Sequence, residues 1–181
     1  MTNVTILLAA GFEEAEALVP ADLLLRAGAK VTLASVDGSE TVTGSHGFRI
    51  GADCSIDAVD RAQNDLLILP GGKLGTDNLF ASIKVRSMIQ DAVANGKLVA
   101  AICAAPSILG RMGLLEGRKY ACYPGFEPLV AGGIHTGKKV EQDDIFVTAE
   151  GMGVADEFGF YLIGLLFGTE KEAEIRESVR K

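Results

Sequence analysis

The sequence predicts an α/β fold, a flavodoxin-like three-layer sandwich in which helices cover both faces of a mainly parallel β-sheet. Short, wholly apolar runs recur along the chain, which is typical of strands buried on both sides. Amphipathic segments separate these runs, and this β-α-β alternation favours a parallel sheet. A chain of 181 residues with 48% hydrophobic content can bury a sizeable core, so we expect one domain over residues 1–181.

Each predicted strand and helix is indicated by its local pattern of apolar and polar residues. Strands are predicted at residues 4–8, 30–34, 66–69, 98–102 and 145–148, and helices at residues 14–27, 78–95, 104–112 and 152–167. Gly28 and Gly96 follow the first two helices, where a glycine suits the helix end. Further expectations are an edge hairpin at 42–50, a glycine-rich loop at 125–139 and an exposed helix at 170–181.

Charge and hydropathy exclude several classes of partner. The chain has 17 basic and 24 acidic residues, a net charge of −7 and no basic cluster, which argues against nucleic acid. No basic residue precedes Arg26, so residues 4–10 are predicted to be a strand rather than part of a signal peptide. The apolar run at 158–168 is too short to span a bilayer. We expect a soluble, cytoplasmic protein without a membrane partner.

The cysteine pattern predicts free thiols. Cys54, Cys103 and Cys122 are an odd number at wide spacings, and the chain has only two histidines. This pattern supports neither a disulfide framework nor a zinc site, so no metal is expected. Cys54 and Cys122 are interpreted as packing residues or incidentally exposed ones.

Cys103 stands out because it joins an apolar strand to a helix. Ligands of open α/β sheets bind at the carboxyl ends of the strands, where such junctions lie. A nucleophile on this turn needs small neighbours, and Ala101 and Ala105 supply them, while Pro106 suits the first helical turn. A helix N-terminus also stabilises a thiolate. The alternative is a small, inert core residue, and the pattern alone favours the reactive thiol only slightly.

Two other strand ends carry candidate partners for this thiol. Glu16 follows the first strand, and Pro20 removes the helical hydrogen bond to its carbonyl, so a loosened turn is expected there. If the first and fourth predicted strands are neighbours, a protonated Glu16 can stabilise the thiolate or act as general acid and base. After the third predicted strand, the backbone N–H of Gly72 can join that of Ala104 as an oxyanion hole.

These segments together resemble the ThiJ/PfpI superfamily, in particular its Parkinsonism-associated, DJ-1-like branch. The resemblance covers nearly the whole chain and rests on the order of GFEEAE at 11–16, LPGGKLG at 69–75, AAICAAP at 100–106, and IFVT at 145–148 before GMG. It implies a flavodoxin-like homodimer without metal or organic cofactor. From the resemblance alone, Arg26 and residues 42–50 are expected at the dimer interface. It also implies a nucleophilic Cys103 paired with a protonated Glu16, and backbone donors at Gly72 and Ala104.

Two departures from the pattern bear on mechanism. Tyr123 stands where the best-known member of the branch has a histidine, so a mechanism that needs this histidine is in doubt, although Tyr123 can donate a hydrogen bond. His135, in the glycine-rich loop, is a weaker candidate substitute. The residue after the cysteine is Ala104 rather than the histidine of the protease-like branch, which argues against a Cys-His peptidase.

Three functions are therefore considered. The first is a glyoxalase or protein deglycase that acts on small α-oxoaldehydes or their protein adducts, with a Cys103 thiolate and Glu16 as acid and base. The second is a sensor or redox-regulated chaperone of the oxidative-stress response, in which Cys103 oxidises to sulfinic acid without turnover. A glutamine-amidotransferase-like domain is the least favoured, because no Cys-His relay can be placed.

Overall fold

The fold is built from eleven strands and six α-helices, and the computed structural model describes residues 1–181. The strands are β1 (Asn3–Leu8), β2 (Lys30–Ser35), β3 (Thr41–Thr43), β4 (Arg49–Gly51), β5 (Cys54–Ser55), β6 (Leu66–Leu69), β7 (Leu98–Ile102), β8 (Lys119–Tyr120), β9 (Ile134–His135), β10 (Val140–Asp143) and β11 (Phe146–Ala149). The helices are α1 (Glu14–Arg26), α2 (Lys73–Ala81), α3 (Ile83–Ala94), α4 (Pro106–Arg111), α5 (Ala155–Phe167) and α6 (Thr169–Ser178).

Seven strands form one sheet in the order β10-β11-β7-β6-β1-β2-β5. All neighbours are parallel except β10 and β11, which are antiparallel. The predicted flavodoxin-like, mainly parallel sandwich is therefore confirmed. Strand β6 lies between β1 and β7, so the first and fourth predicted strands are not direct neighbours. The carboxyl ends of β1, β6 and β7 nevertheless lie side by side at one edge of the sheet.

Two apolar cores hold the helices against the two faces of the sheet. Ile6 and Leu8 of β1 belong to a core shared with α1 and α5, whereas Leu7 belongs to a second core shared with α3 and α4. This division follows from the alternation of side chains along a strand. Because both faces are covered, the central strands are wholly apolar, which is the pattern that made them predictable.

The structure differs from the predicted elements at several places. The helix expected over 78–95 is two helices, α2 and α3, which meet at Ser82, whose hydroxyl accepts the N–H of Val85 at 3.4 Å. The hairpin at 42–50 is present as β3 and β4, but it forms a separate sheet rather than the edge of the main one. The loop expected over 125–139 contains β9, which pairs with β8. Helix α6 is not wholly exposed, since Ile175 packs into the core.

Gly28 and Gly96 end α1 and α3 with positive φ values of 95° and 63°, as the pattern predicted. No helix of the chain combines the length and the apolar character needed to cross a membrane.

Helix α2 lies directly against the loop that precedes α1. A Cβ on Gly75 would meet Phe12 Cα at 2.6 Å and Phe12 N at 2.7 Å, so only glycine allows this approach. The N–H of Gly75 also donates to the carbonyl of Gly11 at 3.1 Å. The position of the β1-α1 loop therefore depends on having glycine, which has no side chain, at position 75 of α2.

We predict that Gly75→Ala lowers the free energy of unfolding by about 2 kcal/mol, because the added methyl group meets backbone atoms that cannot rotate away. Urea unfolding measures the change. Gly51→Ala is the matched control, since a Cβ there meets no heavy atom within 4 Å. Equal stability of the two variants would contradict the prediction.

Candidate functional site

Cys103 lies at the carboxyl end of β7 in a conformation that few residues other than glycine adopt. Its φ is 64°. Its N–H donates to the carbonyl of Ala149 at 2.9 Å, and its carbonyl accepts the N–H of Tyr123 at 2.8 Å. Such a conformation costs about 1–3 kcal/mol and persists only where the surroundings fix it. These two hydrogen bonds, from distant segments, hold the thiol at the turn between β7 and α4.

Glu16 enters the site from the first turn of α1. Its side chain is only 1% exposed. Oε2 accepts the N–H of Gly71 at 2.9 Å, while the buried Oε1 makes no regular hydrogen bond. Helix α1 runs without interruption past Pro20, so the loosened turn expected at Glu16 does not break the helix. The buried carboxyl group therefore has fewer hydrogen-bond donors than its ionised form needs, which favours the protonated form.

Gly71 allows the thiol and the carboxyl group to meet. A Cβ at this position would overlap Glu16 Oε2 and would lie 2.7 Å from Cys103 Cβ, so both side chains border the same point. Strand β6 separates β1 from β7, and the turn after β6 is therefore the bridge between Glu16 and Cys103. Gly71 is a site residue that was not predicted from the sequence, although it lies in the PGG segment that contains Gly72. The available signal was the pair of adjacent glycines. Gly72 supplies the positive φ of the turn, so the second glycine, Gly71, needs a separate explanation.

The backbone N–H groups of Gly72 and Ala104 lie beside the Cys103 sulfur, and each acts to lower the pKa of the thiol. Gly72 has a φ of 83°, and a Cβ there would overlap the carbonyl oxygen of Gly11. Two donors from different strand ends thus converge on one sulfur, in the arrangement that stabilises a thiolate or a nearby oxyanion.

The electrostatics of the pair oppose these donors. Burial raises the pKa of Cys103 to about 12, and the negative charge of Glu16 together with its hydrogen bond to the thiol adds to this effect. Burial also raises the pKa of Glu16 from 4.5 to about 7, although hydrogen bonds from Cys103 and Gly71 act against it. Two such groups in contact titrate as a unit. Above about pH 7 the pair holds one proton, shared between sulfur and carboxyl oxygen.

Tyr123 lies at the mouth of the site, and His135 lies elsewhere. The Tyr123 side chain is 51% exposed, and its ring edge would be 3.2 Å from a Cβ on Gly151, which also borders Cys103. The His135 ring packs against the Tyr120 ring at 5.3 Å between centroids. No hydrogen bond joins His135 to Cys103 or Glu16. The structure therefore brings Tyr123 to the thiol and leaves His135 outside this site.

The two other cysteines are free and occupy different environments. Cys122 is buried in the core on one face of the sheet, whereas Cys103 packs against the core on the other face. Burial and the charge of Glu127 raise the pKa of Cys122 to about 12. Burial and Asp53 raise the pKa of the half-buried Cys54. Neither thiol has the converging backbone donors that Cys103 has.

A family model described as the DJ-1/PfpI family matches residues 2–165. The chain belongs to this family. Members of the DJ-1/PfpI family that it resembles include Protein DJ-1 homolog B of Arabidopsis thaliana, which is 40% identical over 175 residues. That match covers 96% of this chain but only 40% of the plant protein, so the chain spans less than half of that relative.

Two further relatives in the DJ-1/PfpI family cover different shares of the chain. Deglycase PH1704 of Pyrococcus horikoshii is 36% identical over 125 residues, which is 69% of this chain and 74% of that protein. The solved structure described as oxidized DJ-1 of Toxoplasma gondii is 35% identical, covers 99% of this chain and 98% of its own, and has a TM-score of 0.94. The predicted family is thereby confirmed, and it includes a protein named as a deglycase.

We predict that the raised pKa of Glu16 makes the protein less stable as the pH rises. The folded state holds this proton up to about pH 7, whereas the unfolded chain releases it near 4.5, so the stabilisation is full below 4.5 and is lost through 7. The loss is at most about 3 kcal/mol. Urea unfolding at several pH values should show this slope for the wild type and not for Glu16→Gln.

Glu141→Gln is the matched control for this measurement. Burial acts to raise the pKa of Glu141, but hydrogen bonds with Thr136 and Lys138 lower it overall. Its carboxylate is therefore ionised in both states above about pH 5, and the variant should keep the slope of the wild type. The same slope in Glu16→Gln and the wild type would contradict the assignment.

Proposed function

We propose that the chain converts small α-oxoaldehydes such as methylglyoxal to hydroxy acids, or releases such groups from protein adducts, through the Cys103 thiolate. The observation that carries this proposal is the contact between the half-buried Cys103 and the buried Glu16, with the N–H groups of Gly72 and Ala104 beside the sulfur. The deglycase name of the archaeal relative supports the same class of carbonyl chemistry.

In the proposed reaction, the Cys103 sulfur attacks the aldehyde carbon and the carbonyl electron pair moves onto oxygen. The N–H groups of Gly72 and Ala104, which lie beside the sulfur, are placed to hold this oxyanion. Glu16 gives its proton to the oxygen, and the carboxylate then takes the proton from the carbon bonded to sulfur.

Return of that proton to the neighbouring carbon, together with transfer of the hydroxyl proton from the first oxygen to the second, yields a thioester of the hydroxy acid, which water hydrolyses to free Cys103. One carbon is oxidised and its neighbour is reduced, so the sum is the addition of one water molecule and no external oxidant is needed. Glu16 serves as both acid and base because its pKa lies near neutral pH, where a group can donate and accept protons.

The position of the histidines argues against the other cysteine-dependent activities. A Cys-His peptidase or a glutamine amidotransferase needs an imidazole beside the thiol. His46 hydrogen-bonds to Glu14 at 3.0 Å, and His135 packs on Tyr120. In the proposed site Tyr123 orients the substrate through its hydroxyl group, and Glu16 alone moves protons.

We expect Cys103→Ser and Glu16→Gln each to lower lactate formation from methylglyoxal by at least about 10³-fold without unfolding the chain. Because the doubly protonated pair holds no thiolate, kcat/KM of the wild type should rise as the pH increases through about 7. Lactate is measured without added glutathione, and Cys54→Ser is the control that keeps activity. Turnover by Cys103→Ser would exclude the proposed nucleophile.

A second candidate function is oxidation sensing, possible at the same site without turnover. The Toxoplasma gondii relative is described as oxidized, which favours redox chemistry in this family. In this alternative, peroxide oxidises the Cys103 thiolate to sulfenic acid and releases water, and a second peroxide gives sulfinic acid. The Glu16 proton and the N–H groups of Gly72 and Ala104 would stabilise the added oxygens.

Peptide mass mapping after mild peroxide treatment tests this alternative. We predict that Cys103 gains two oxygens before Cys54 or Cys122 reacts, because only its sulfur has two backbone donors. Glu16→Gln is the comparison variant, and it should slow the gain of the second oxygen. Earlier oxidation of Cys54 would argue against a sensing role for Cys103.

We also propose that the chain forms the homodimer that the resemblance implies. Leu25 is 55% exposed at the end of α1, beside the half-buried Leu18 and Val31. Arg26, which pairs with Asp22 at 2.7 Å, borders this apolar surface. A second copy of the chain is proposed to cover this apolar surface.

A further inference from the structure

Three side chains with metal-binding atoms meet outside the Cys103 site. Cys122 Sγ, a carboxylate oxygen of Glu127 and a ring nitrogen of His135 all lie within 4.8 Å of one another. Cys122 is 1% exposed, Glu127 is half-buried and His135 is exposed. The sulfur thus lies at the base of the cluster, and the imidazole lies at its open side.

The backbone fixes two of these three groups. Strands β8 and β9 pair Tyr120 with His135, and the N–H of Thr136 donates to the Tyr120 carbonyl at 3.0 Å. Gly133 permits this approach, since a Cβ there would lie 2.8 Å from the Tyr120 ring. His135 is therefore held over the segment that leads to Cys122.

Glu127 is oriented by its own turn. Its Oε2 accepts the N–H of Gly125 at 2.7 Å, which leaves the other carboxylate oxygen available. The Gly125 φ of 97° belongs to the turn that brings the carboxylate back toward Cys122. Nothing in the proposed reaction at Cys103 uses this carboxylate.

We propose that Cys122, Glu127 and His135 bind a thiophilic divalent cation such as Zn²⁺, with the fourth position open to water. One thiolate, one imidazole and one carboxylate are a ligand set that suits Zn²⁺. Tetrahedral bonds of about 2.0–2.3 Å place ligand atoms roughly 3.5 Å apart, so atoms that lie within 4.8 Å of one another need to approach by at most about 1.3 Å. The thiol proton is released to solvent as the sulfur–metal bond forms.

A second cluster of possible metal ligands serves as a comparison, because we do not expect it to bind a metal ion. Glu13, Glu14 and His46 also lie within 4.8 Å of one another, but they include no sulfur. Glu14 already accepts the N–H of His46 at 2.9 Å and contacts the His46 ring and the Ser45 hydroxyl. The Glu14 oxygens and the His46 ring nitrogen are therefore already hydrogen-bonded within the protein. His46 serves as the control for His135.

Titration of the full chain with Co²⁺, and competition with Zn²⁺ and a coloured chelator, tests the proposal. All proteins carry Cys54→Ser and Cys103→Ser, which remove the two other thiols of the chain. We expect a thiolate-to-cobalt charge-transfer band in this parent, no band in Cys122→Ser, and at least about tenfold weaker Zn²⁺ binding in His135→Ala and Glu127→Gln. His46→Ala should bind as the parent does.

Absence of the band in the parent, its survival in Cys122→Ser, or equal Zn²⁺ affinity of His135→Ala and the parent would each overturn the proposal. Circular dichroism checks that Cys122→Ser is folded. The exposed His135 provides a test that does not disturb the core. Because lactate formation does not enter these measurements, the outcome is independent of the proposed function of Cys103.

Discussion

The contact between Glu16 and Cys103 across Gly71 is the constraint on which the rest of the site depends. It joins the ends of three strands, since Glu16 follows β1, Gly71 follows β6 and Cys103 follows β7. Helices α1, α2 and α4 start from these three ends. The close approach of Gly75 to Phe12 serves the same junction, because it fixes the loop from which α1 carries Glu16 inward.

Two opposing effects set the chemistry of this junction. Burial disfavours negative charge on both sulfur and carboxylate, whereas the N–H groups of Gly72 and Ala104 favour it on sulfur. Since both charges cannot be held at once at low cost, one proton stays between Cys103 and Glu16. Cys122 shows the contrasting case, because it is more deeply buried than Cys103 but lacks such donors.

The central strands could be predicted to within a residue or two, because burial on both faces leaves a local, wholly apolar signal. Strand β10 and the break at Ser82 could not, since the polar sequence of β10 and the cap of α3 acquire meaning only from their partners. The turns around Cys103 and Gly72 were predictable from spacing. Gly71 was not, because its role is to leave space between residues distant in sequence.

The strained turn at Cys103 also limits how the site can be transferred. Its positive φ is maintained by the carbonyl of Ala149 and the N–H of Tyr123, which belong to segments far along the chain. A short peptide that contains Cys103 would relax to an ordinary conformation and carry an ordinary thiol. Grafting this nucleophile onto another scaffold would therefore require the strand and the loop that hold it, and not the loop sequence alone.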